Sequence, residues 1–260
     1  THAYLLVFTT AGKLYWLKVY NLPEASRTAR GRAIVNILKI SEDEKISTIL
    51  PVREFEEGKF VTMATRQGYI KRVDLMEFSR PRNGGLIATK LEEGDELIGV
   101  KLTDDAQDCV VSSKNGLAIR FTEQDVRAMG RNTRGVRAMN LSGDDEVVNL
   151  VCLPSETNGE LALLTVCENG YGKRTELSEY RVQSRGGKGL IDIKTTDRNG
   201  SVVGAKKVKE ADDLMIITTS GNIIRIPVEG ISCIGRNTQG VRLLRLKDDE
   251  KVAAVARVLE

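Results

Sequence analysis

Arginine and glycine stand close together at five places in this chain, in a pattern that could bind an anion. The fullest example is the stretch 180–191, which reads YRVQSRGGKGLI. Its glycines would let the backbone approach phosphate oxygens and offer N–H donors, while Arg185 and Lys188 would supply positive charge. We assign Gly186 and Gly187 to this role, whereas Gly189 serves mainly to form a turn. Shorter versions of the pattern occur at 27–31, 80–85, 131–135 and 236–240.

The elements that carry these loops form a repeat, which two series of glycines mark. The first series is Gly12, Gly68, Gly116, Gly170 and Gly221, and each member separates two short apolar runs. Glycine between two such runs is typical of a β-hairpin. The second series, Gly31, Gly85, Gly135, Gly189 and Gly240, follows 19, 17, 19, 19 and 19 residues later. An apolar run, an acidic turn and a fourth apolar run then complete a unit of four predicted strands.

This spacing predicts one fold class. A period of about 50 residues with four short strands indicates an all-β, propeller-like domain of repeated blades. The predicted units are 1–54, 55–104, 105–154, 155–208 and 209–260, within a single domain over residues 1–260. A single large β-sandwich is the alternative, but it would not keep both glycine series in phase.

Positive charge is concentrated in the segments between the two glycines of each unit, which we call the connectors. They hold 19 Lys or Arg against 8 Asp or Glu, whereas the rest of the chain holds 20 basic and 28 acidic residues. Since the connectors recur in register, we expect their cations to form one basic belt that binds double-stranded DNA. We expect readout of the phosphate backbone and of DNA shape, because no base-reading helix and no stacked aromatics occur in the connectors. The residues predicted to bind DNA are Arg27, Arg30, Arg32, Lys71, Arg72, Arg80, Arg82, Arg120, Arg127, Arg131, Arg134, Lys173, Arg174, Arg181, Gln183, Arg185, Gly186, Gly187, Lys188, Gly189, Arg225 and Arg236.

The remaining reactive residues give no sign of catalysis. His2 is the sole histidine, and the four cysteines, Cys109, Cys152, Cys167 and Cys233, contain no CxxC pair. We therefore predict no catalytic residue, no metal site, no cofactor and no disulfide framework, and we interpret the cysteines as buried small apolar residues. No apolar run approaches the roughly 20 residues of a membrane span, and no signal peptide opens the sequence, which favours a cytoplasmic protein.

Several motifs carry a family resemblance over the whole chain. They are the repeats themselves and the stretches 12–20 (GKLYWLKVY), 29–32 (ARGR), 169–175 (NGYGKRT), 183–189 (QSRGGKG) and 235–241 (GRNTQGV). With these motifs the chain resembles the C-terminal domain of the bacterial DNA gyrase A protein, which is part of a type IIA topoisomerase. The resemblance implies a β-pinwheel, a propeller-like disc whose blades, usually six, exchange strands. It also implies a role in the cytoplasm at the nucleoid: wrapping DNA around a basic rim and presenting a segment to the gyrase A and gyrase B proteins for ATP-dependent negative supercoiling. The strand-cleaving tyrosine of the family lies in another domain.

Two departures from the family pattern bear on function. The glycine-rich heptapeptide of the family belongs to the first blade, whereas the nearest match here lies in the fourth of five units, with Ser184 in place of a basic residue. We therefore expect a first blade upstream of Thr1. Two other functions stay open: the equivalent domain of topoisomerase IV, which binds DNA with less wrapping, and a platform for an acidic protein partner.

Overall fold

A computed structural model describes residues 2–26, 29, 32–38, 40–41, 44–156, 159–247 and 249–258. The chain divides into two compact units. The first contains Thr1–Asp105 and Val126–Val136, and the second contains Ala106–Asp125 and Arg137–Glu260. The single domain expected over residues 1–260 stays a prediction.

Five hairpins occur where the first glycine series predicts them. The glycine at each turn has a φ between +75° and +86°, the left-handed region that these turns require. The hairpins are β1 (Tyr4–Thr9) with β2 (Lys13–Lys18), β4 (Phe60–Thr65) with β5 (Tyr69–Asp74), β8 (Gln107–Ser113) with β9 (Leu117–Thr122), β12 (Ala162–Cys167) with β13 (Tyr171–Glu176), and β16 (Asp213–Thr218) with β17 (Ile223–Pro227).

The last strand of each repeat pairs with the first hairpin strand of the same repeat. These closing strands are β3 (Ile46–Val52), β7 (Leu97–Thr103), β11 (Val147–Pro154), β15 (Val202–Val208) and β19 (Val252–Val258). Each of these five pairings contains a register shift, for example between Ala64 and Thr65 at the end of β4.

The apolar run after the second glycine does not join the sheet of its own repeat. It forms the two-residue strands β6 (Leu86–Ile87), β10 (Val136–Arg137), β14 (Leu190–Ile191) and β18 (Val241–Arg242). Each of them pairs with the hairpin of the preceding repeat, which gives the sheet orders β3-β1-β2-β6, β10-β5-β4-β7, β11-β8-β9-β14 and β15-β12-β13-β18. Four strands from one repeat was therefore the wrong assignment, and the strand exchange implied by the resemblance is observed. The physical reason is reach, because a connector of up to 18 residues can span well beyond its own sheet.

The first and last repeats depart from this scheme. The run 33–35, predicted as a strand, includes part of a 3-10 helix at Ile34–Asn36. The fifth sheet has three strands, in the order β17-β16-β19, and β17 is an edge whose Ile223 is 60% exposed. The described residues thus show five sheets, four of them four-stranded. The other 3-10 helices are Val19–Asn21, Leu75–Phe78, Glu123–Asp125 and Leu177–Glu179.

Each unit has its own apolar core. In the first unit Phe8, Leu14, Met63 and Phe78 are buried together. In the second, one buried cluster includes Val110, Leu163 and Tyr180, and another includes Leu164, Leu214 and Val252. The middle strands are buried on both faces, which is expected when small sheets pack against one another. No helix in the described residues is long and apolar enough to cross a membrane.

The cysteines follow the prediction with one exception. Cys109, Cys152 and Cys167 are buried free thiols, whereas Cys233 is exposed. Cys233 was therefore wrongly interpreted as a core residue; it lies in the connector of the fifth repeat, beside Arg174.

Candidate nucleic-acid interface

The residues predicted to bind DNA divide into three groups by exposure. Arg27 and Arg30 lie outside the described residues. The exposed side chains are Arg32, Arg80, Arg82, Arg127, Arg134, Arg181, Lys188 and Arg225. The partly buried residues are Arg131, Gln183, Arg185, Gly186, Gly187, Gly189 and Arg236. The buried residues are Lys71, Arg72, Arg120, Lys173 and Arg174.

Three buried arginines share one register position, four residues after a hairpin glycine. The side chains of Arg120 and Arg174 anchor the connector of the next repeat, whereas that of Arg72 forms an ion pair with Asp105. Arg120 donates to the carbonyls of Leu177 (3.0 Å) and Tyr180 (3.4 Å) while its Nε donates to Asp108 (2.8 Å). Arg174 donates to the carbonyl of Ile231 at 2.7 Å.

The backbone repeats the same link. Bridges join Arg72 to Ala128, Arg120 to Val182 and Arg174 to Cys233. Because their guanidinium groups are occupied by protein acceptors, we withdraw these three arginines from the candidate interface.

The buried lysines Lys71 and Lys173 share the position just before two of these arginines, yet their charges are compensated differently. Lys71 Nζ donates to three backbone carbonyls, those of Ala88 (3.1 Å), Thr133 (2.9 Å) and Arg131. Lys173 Nζ instead lies 3.4 Å from the Asp192 carboxylate and also donates to Thr175. Both lysines are at most 1% exposed, so neither ammonium group can reach a phosphate in this structure.

Substitution of Lys71 by methionine should reveal a pH-dependent contribution to stability. Burial, and secondarily the nearby charge of Arg131, lowers the pKa of Lys71 to about 8. Above that pH the folded chain releases a proton that the unfolded chain keeps up to the ordinary pKa of 10.5, so stability rises with pH. The free energy of unfolding of the wild type, relative to that of Lys71→Met, should therefore rise between pH 8 and 10, by at most about 1.4 kcal/mol per pH unit.

Urea denaturation followed by the fluorescence of Trp16, the sole tryptophan, reports on the same compact unit as Lys71. Lys59→Met, in which a partly exposed lysine is replaced, is the matched control. A difference that stays constant with pH would show that the Lys71 amine keeps its proton throughout this range.

The glycine-rich loop at 183–189 is occupied by contacts to the run that follows the second glycine of the third repeat. Gly186 N–H donates to the carbonyl of Ala138 at 2.7 Å, and Gly187 accepts from Asn140 N–H at 2.9 Å. The expectation that Gly186 offers its N–H to phosphate is therefore wrong, because a protein carbonyl already accepts that hydrogen. Gly189 has φ +81°, and a Cβ there would lie 2.6 Å from the Ala118 carbonyl, which fits the turn-forming role.

The cations of this loop differ in availability. Arg185 donates to the carbonyls of Asp125 (2.9 Å) and Arg137 (3.2 Å), and Arg236 repeats the contact one repeat later, on the carbonyl of Ile191 (3.0 Å). These arginines help to hold successive repeats together. Arg181 and Lys188 are exposed and belong to the candidate interface.

Arg80 and Arg82 contribute to a polar groove in the second repeat. The groove has a volume of about 460 Å³ and is lined by Met76, Glu77, Ser79, Arg80, Arg82, Leu86 and Arg131. Arg131 is held by Glu77, with 3.1 Å between nitrogen and carboxylate oxygen. Arg80 and Arg82 have no ion-pair partner within the described ranges, so both guanidinium groups are available to an anion.

Two further exposed arginines of the predicted set are paired with carboxylates. Arg134 lies 3.1 Å from Glu92 and stacks on the Tyr69 ring, 4.5 Å from its centroid. Arg225 donates to Asp213 at 2.6 Å. A phosphate would have to displace a carboxylate at both positions. In the part of the chain that the structure describes, no group of three or more His, Cys, Asp or Glu could hold a metal ion.

Comparison with known proteins assigns the repeats to a family. A family model described as "DNA gyrase C-terminal domain, beta-propeller" matches residues 3–53, 59–104, 107–154, 162–209 and 212–258, one segment for each repeat. The chain belongs to this gyrase C-terminal domain family. The DNA gyrase A protein of Salmonella typhimurium is 54% identical over 260 residues, and that of Escherichia coli K12 is 50% identical over the same length. Both matches cover 100% of this chain but 29% of the relative, so the chain spans less than a third of these curated relatives.

Solved structures from two kinds of topoisomerase are similar to this gyrase-family domain. The structure titled "Structure of DNA gyrase A C-terminal domain" has a TM-score of 0.86 at 27% identity and covers 100% of this chain and 83% of the other. "Crystal structure of the C-terminal domain of DNA topoisomerase IV" has a TM-score of 0.89 at 26% identity and covers 99% of this chain and 79% of the other.

Proposed function

We propose that this chain binds double-stranded DNA with little sequence preference and wraps it along exposed cations in and next to its connectors. The observation that carries the proposal is a set of exposed cations that form no ion pair with a carboxylate of the described residues. They are Arg32, Arg80, Arg82, Arg127, Arg181 and Lys188, and they come from the first four repeats. Exposed cations without a carboxylate partner favour binding to the phosphate backbone, where they release counterions from DNA.

Membership of the gyrase family sets the wider context of this proposal. The domain would present the wrapped segment to the rest of the gyrase A protein and to the gyrase B protein, in the bacterial cytoplasm, for ATP-dependent negative supercoiling. It would need no catalytic residue, metal or cofactor of its own. A sixth blade in the intact protein would extend the same set of connectors.

A topological assay tests wrapping directly. Nicked circular DNA is sealed by ligase in the presence of saturating protein, and the linking number of the product is measured. Wrapping changes the linking number, because it fixes writhe while the nick closes. Wrapping is wrong if binding is saturated and the linking number matches that of circles sealed without protein.

The same assay addresses a second candidate, a DNA-binding domain of the topoisomerase IV type, which the structural similarity to that domain favours. If the chain is a domain of that type, the linking number should shift less than full wrapping would require for the same amount of bound protein. Weak DNA binding that barely depends on salt would support an interaction platform for an acidic protein instead.

Removal of the two unpaired arginines of the groove should weaken DNA binding in a measurable way. For Arg80→Ala/Arg82→Ala we expect the slope of log K against log salt to become shallower by roughly 1.8, because each lost phosphate contact changes it by about 0.9. The matched control is Lys59→Ala/Lys209→Ala, which removes two lysines that lie 3.5 Å from Asp104 and 3.1 Å from Glu160. Equal slopes for the two double variants would exclude the groove from the interface.

A further inference from the structure

A second cluster of arginines lies in the fourth and fifth repeats, outside the segments that the charge count selects. Arg242 is the second residue of β18 and faces Tyr171 of β13 in the strand register. Arg198 lies in the turn between β14 and β15. Both arginines are exposed, whereas Tyr171 between them is 7% exposed.

Both guanidinium groups converge on the same tyrosine. The Cζ of Arg198 lies 4.8 Å from the centroid of the Tyr171 ring, and that of Arg242 lies 5.5 Å from it. Arg242 also donates two hydrogen bonds to the Tyr171 hydroxyl oxygen, at 2.9 and 3.3 Å. Hydrogen bonds from the two arginines, Arg242 foremost, lower the pKa of Tyr171. Since its oxygen accepts from Arg242, the hydroxyl keeps its own proton to donate.

The turn that carries Arg198 is fixed by a buried amide. The side-chain oxygen of Asn199 accepts from Thr196 N–H at 2.8 Å, and its Nδ2 donates to the carbonyls of Lys194 and Gln239, each at 3.1 Å. On the other side, Asn169 donates to the carbonyl of Asp197 at 3.0 Å. Arg198 is therefore held beside Tyr171 by the loop itself, as a binding site requires.

No carboxylate of the described residues forms an ion pair with Arg198 or Arg242. Tyr69 of the second repeat shows what such a cluster looks like when it is compensated. Arg134 of the third repeat stacks on its ring, and Glu92 lies 3.1 Å from the guanidinium group. Two like charges on one ring repel each other, and a shared anion would relieve that repulsion. In the second repeat a glutamate provides the negative charge, and in the fourth the position is open to an external anion.

We propose that Arg198, Arg242 and Tyr171 form a site for one backbone phosphate of DNA. Planar guanidinium groups suit the tetrahedral oxygens of a phosphodiester, and the Tyr171 hydroxyl adds a neutral donor. The site deepens the proposed function, on which it rests, by placing a contact outside the connectors in the second compact unit.

The test compares DNA affinity over a range of salt concentrations for the full chain and its variants. Arg198→Ala/Arg242→Ala should bind a 40-base-pair duplex roughly tenfold more weakly, with a slope shallower by about 0.9. Tyr171→Phe keeps the ring, and its DNA affinity should be about fivefold lower than that of the wild type. Lys59→Ala/Lys209→Ala removes the same charge, from two lysines that each form an ion pair with a carboxylate. Its DNA affinity should fall less than that of either variant.

A gain of binding provides a check that misfolding cannot imitate. Glu92→Gln removes the carboxylate that compensates Arg134, so an open anion site should form beside Tyr69. The slope of log K against log salt should then become steeper by about 0.9. If wild-type binding does not depend on salt, the proposed function itself fails. If it does, but Arg198→Ala/Arg242→Ala matches the lysine control, the phosphate site is wrong.

A last measurement distinguishes DNA from small anions. Inorganic phosphate is titrated into protein whose tyrosine rings are labelled for NMR, with Tyr171→Phe to assign the Tyr171 signal. A response of Tyr171 to millimolar phosphate, with unchanged DNA affinity of the double arginine variant, would overturn the assignment to DNA. A response of Tyr171 to the duplex, lost in that variant, would support it.

Discussion

Gly135→Ala should lower the free energy of unfolding of the first compact unit by at least about 3 kcal/mol. Gly135 has φ +101°, outside the range that residues with a side chain readily adopt. A Cβ there would lie 2.4 Å from the carbonyl oxygen of Ile70 and 3.1 Å from Cβ of Lys71. The first of these neighbours is backbone inside β5, so relief of the clash requires the short strand β10 to move away from its partner.

Gly94→Ala separates the clash from the cost of the backbone conformation alone. Gly94 also has a positive φ, +72°, in the same unit, but a Cβ there would meet nothing within 4 Å. This control should cost about 1 to 2 kcal/mol. Urea denaturation followed by Trp16 fluorescence measures both variants, since Trp16 donates to the Phe78 carbonyl within that unit (2.8 Å). Similar losses for the two variants would show that β10 is not held against β5 as described.

Asp192→Ala should destabilise the second compact unit by about 3 to 5 kcal/mol, because it leaves a buried ammonium group without its counter-charge. Asp192 is 1% exposed and accepts hydrogen bonds from Thr165 (2.7 Å), Tyr180 and Lys173 (3.4 Å). Burial already lowers the pKa of Lys173, and Asp192 opposes that shift. Without Asp192 the pKa of Lys173 should fall further, so the deficit of the variant should narrow as the pH rises toward 10.5.

A double variant provides the decisive control for this buried pair. Lys173→Met/Asp192→Ala removes both charges, so it should recover part of the stability that Asp192→Ala loses. Asp144→Ala, which removes an exposed carboxylate, should change stability by less than about 0.5 kcal/mol. Amide hydrogen exchange of β12 and β13, measured by mass spectrometry, reports on this region. If the double variant is less stable than Asp192→Ala, the loss does not come from the unpaired charge.

The sequence predicted the repeat and its hairpins because glycine at a tight turn leaves a local signal. Pairing between repeats leaves none. A two-residue strand such as Leu190–Ile191 has the same apolar pattern whether it joins its own sheet or the preceding one. The family resemblance, rather than the pattern, predicted the exchange.

Charge counting was less successful at the level of single residues. A count treats Arg120 and Arg127 alike, yet Arg120 is buried against Asp108 and two carbonyls, whereas Arg127 is exposed. The signal that could separate them is register, since Arg72, Arg120 and Arg174 all stand four residues after a hairpin glycine. A cation on a strand, at a fixed step from the turn, was more consistent with an internal anchor than with a free surface charge.

The count also missed Arg242, because it stopped at the second glycine. Val136–Arg137 and Val241–Arg242 place arginine at the same step after that glycine, which is a repeat signal of its own. Arg198 has no equivalent in the other repeats, and only its position beside Tyr171 in the folded chain identifies it.

Because of the short exchanged strands, one sequence repeat does not correspond to one sheet of the fold. A gene segment that encodes one 50-residue repeat encodes most of one sheet and the short edge strand of the preceding sheet. Loss of such a segment by recombination would leave the flanking copies able to pair, because each accepts an equivalent strand from whichever copy follows. Lineages could therefore change the number of copies, and with it the length of DNA in the proposed wrap, without a new kind of junction between repeats.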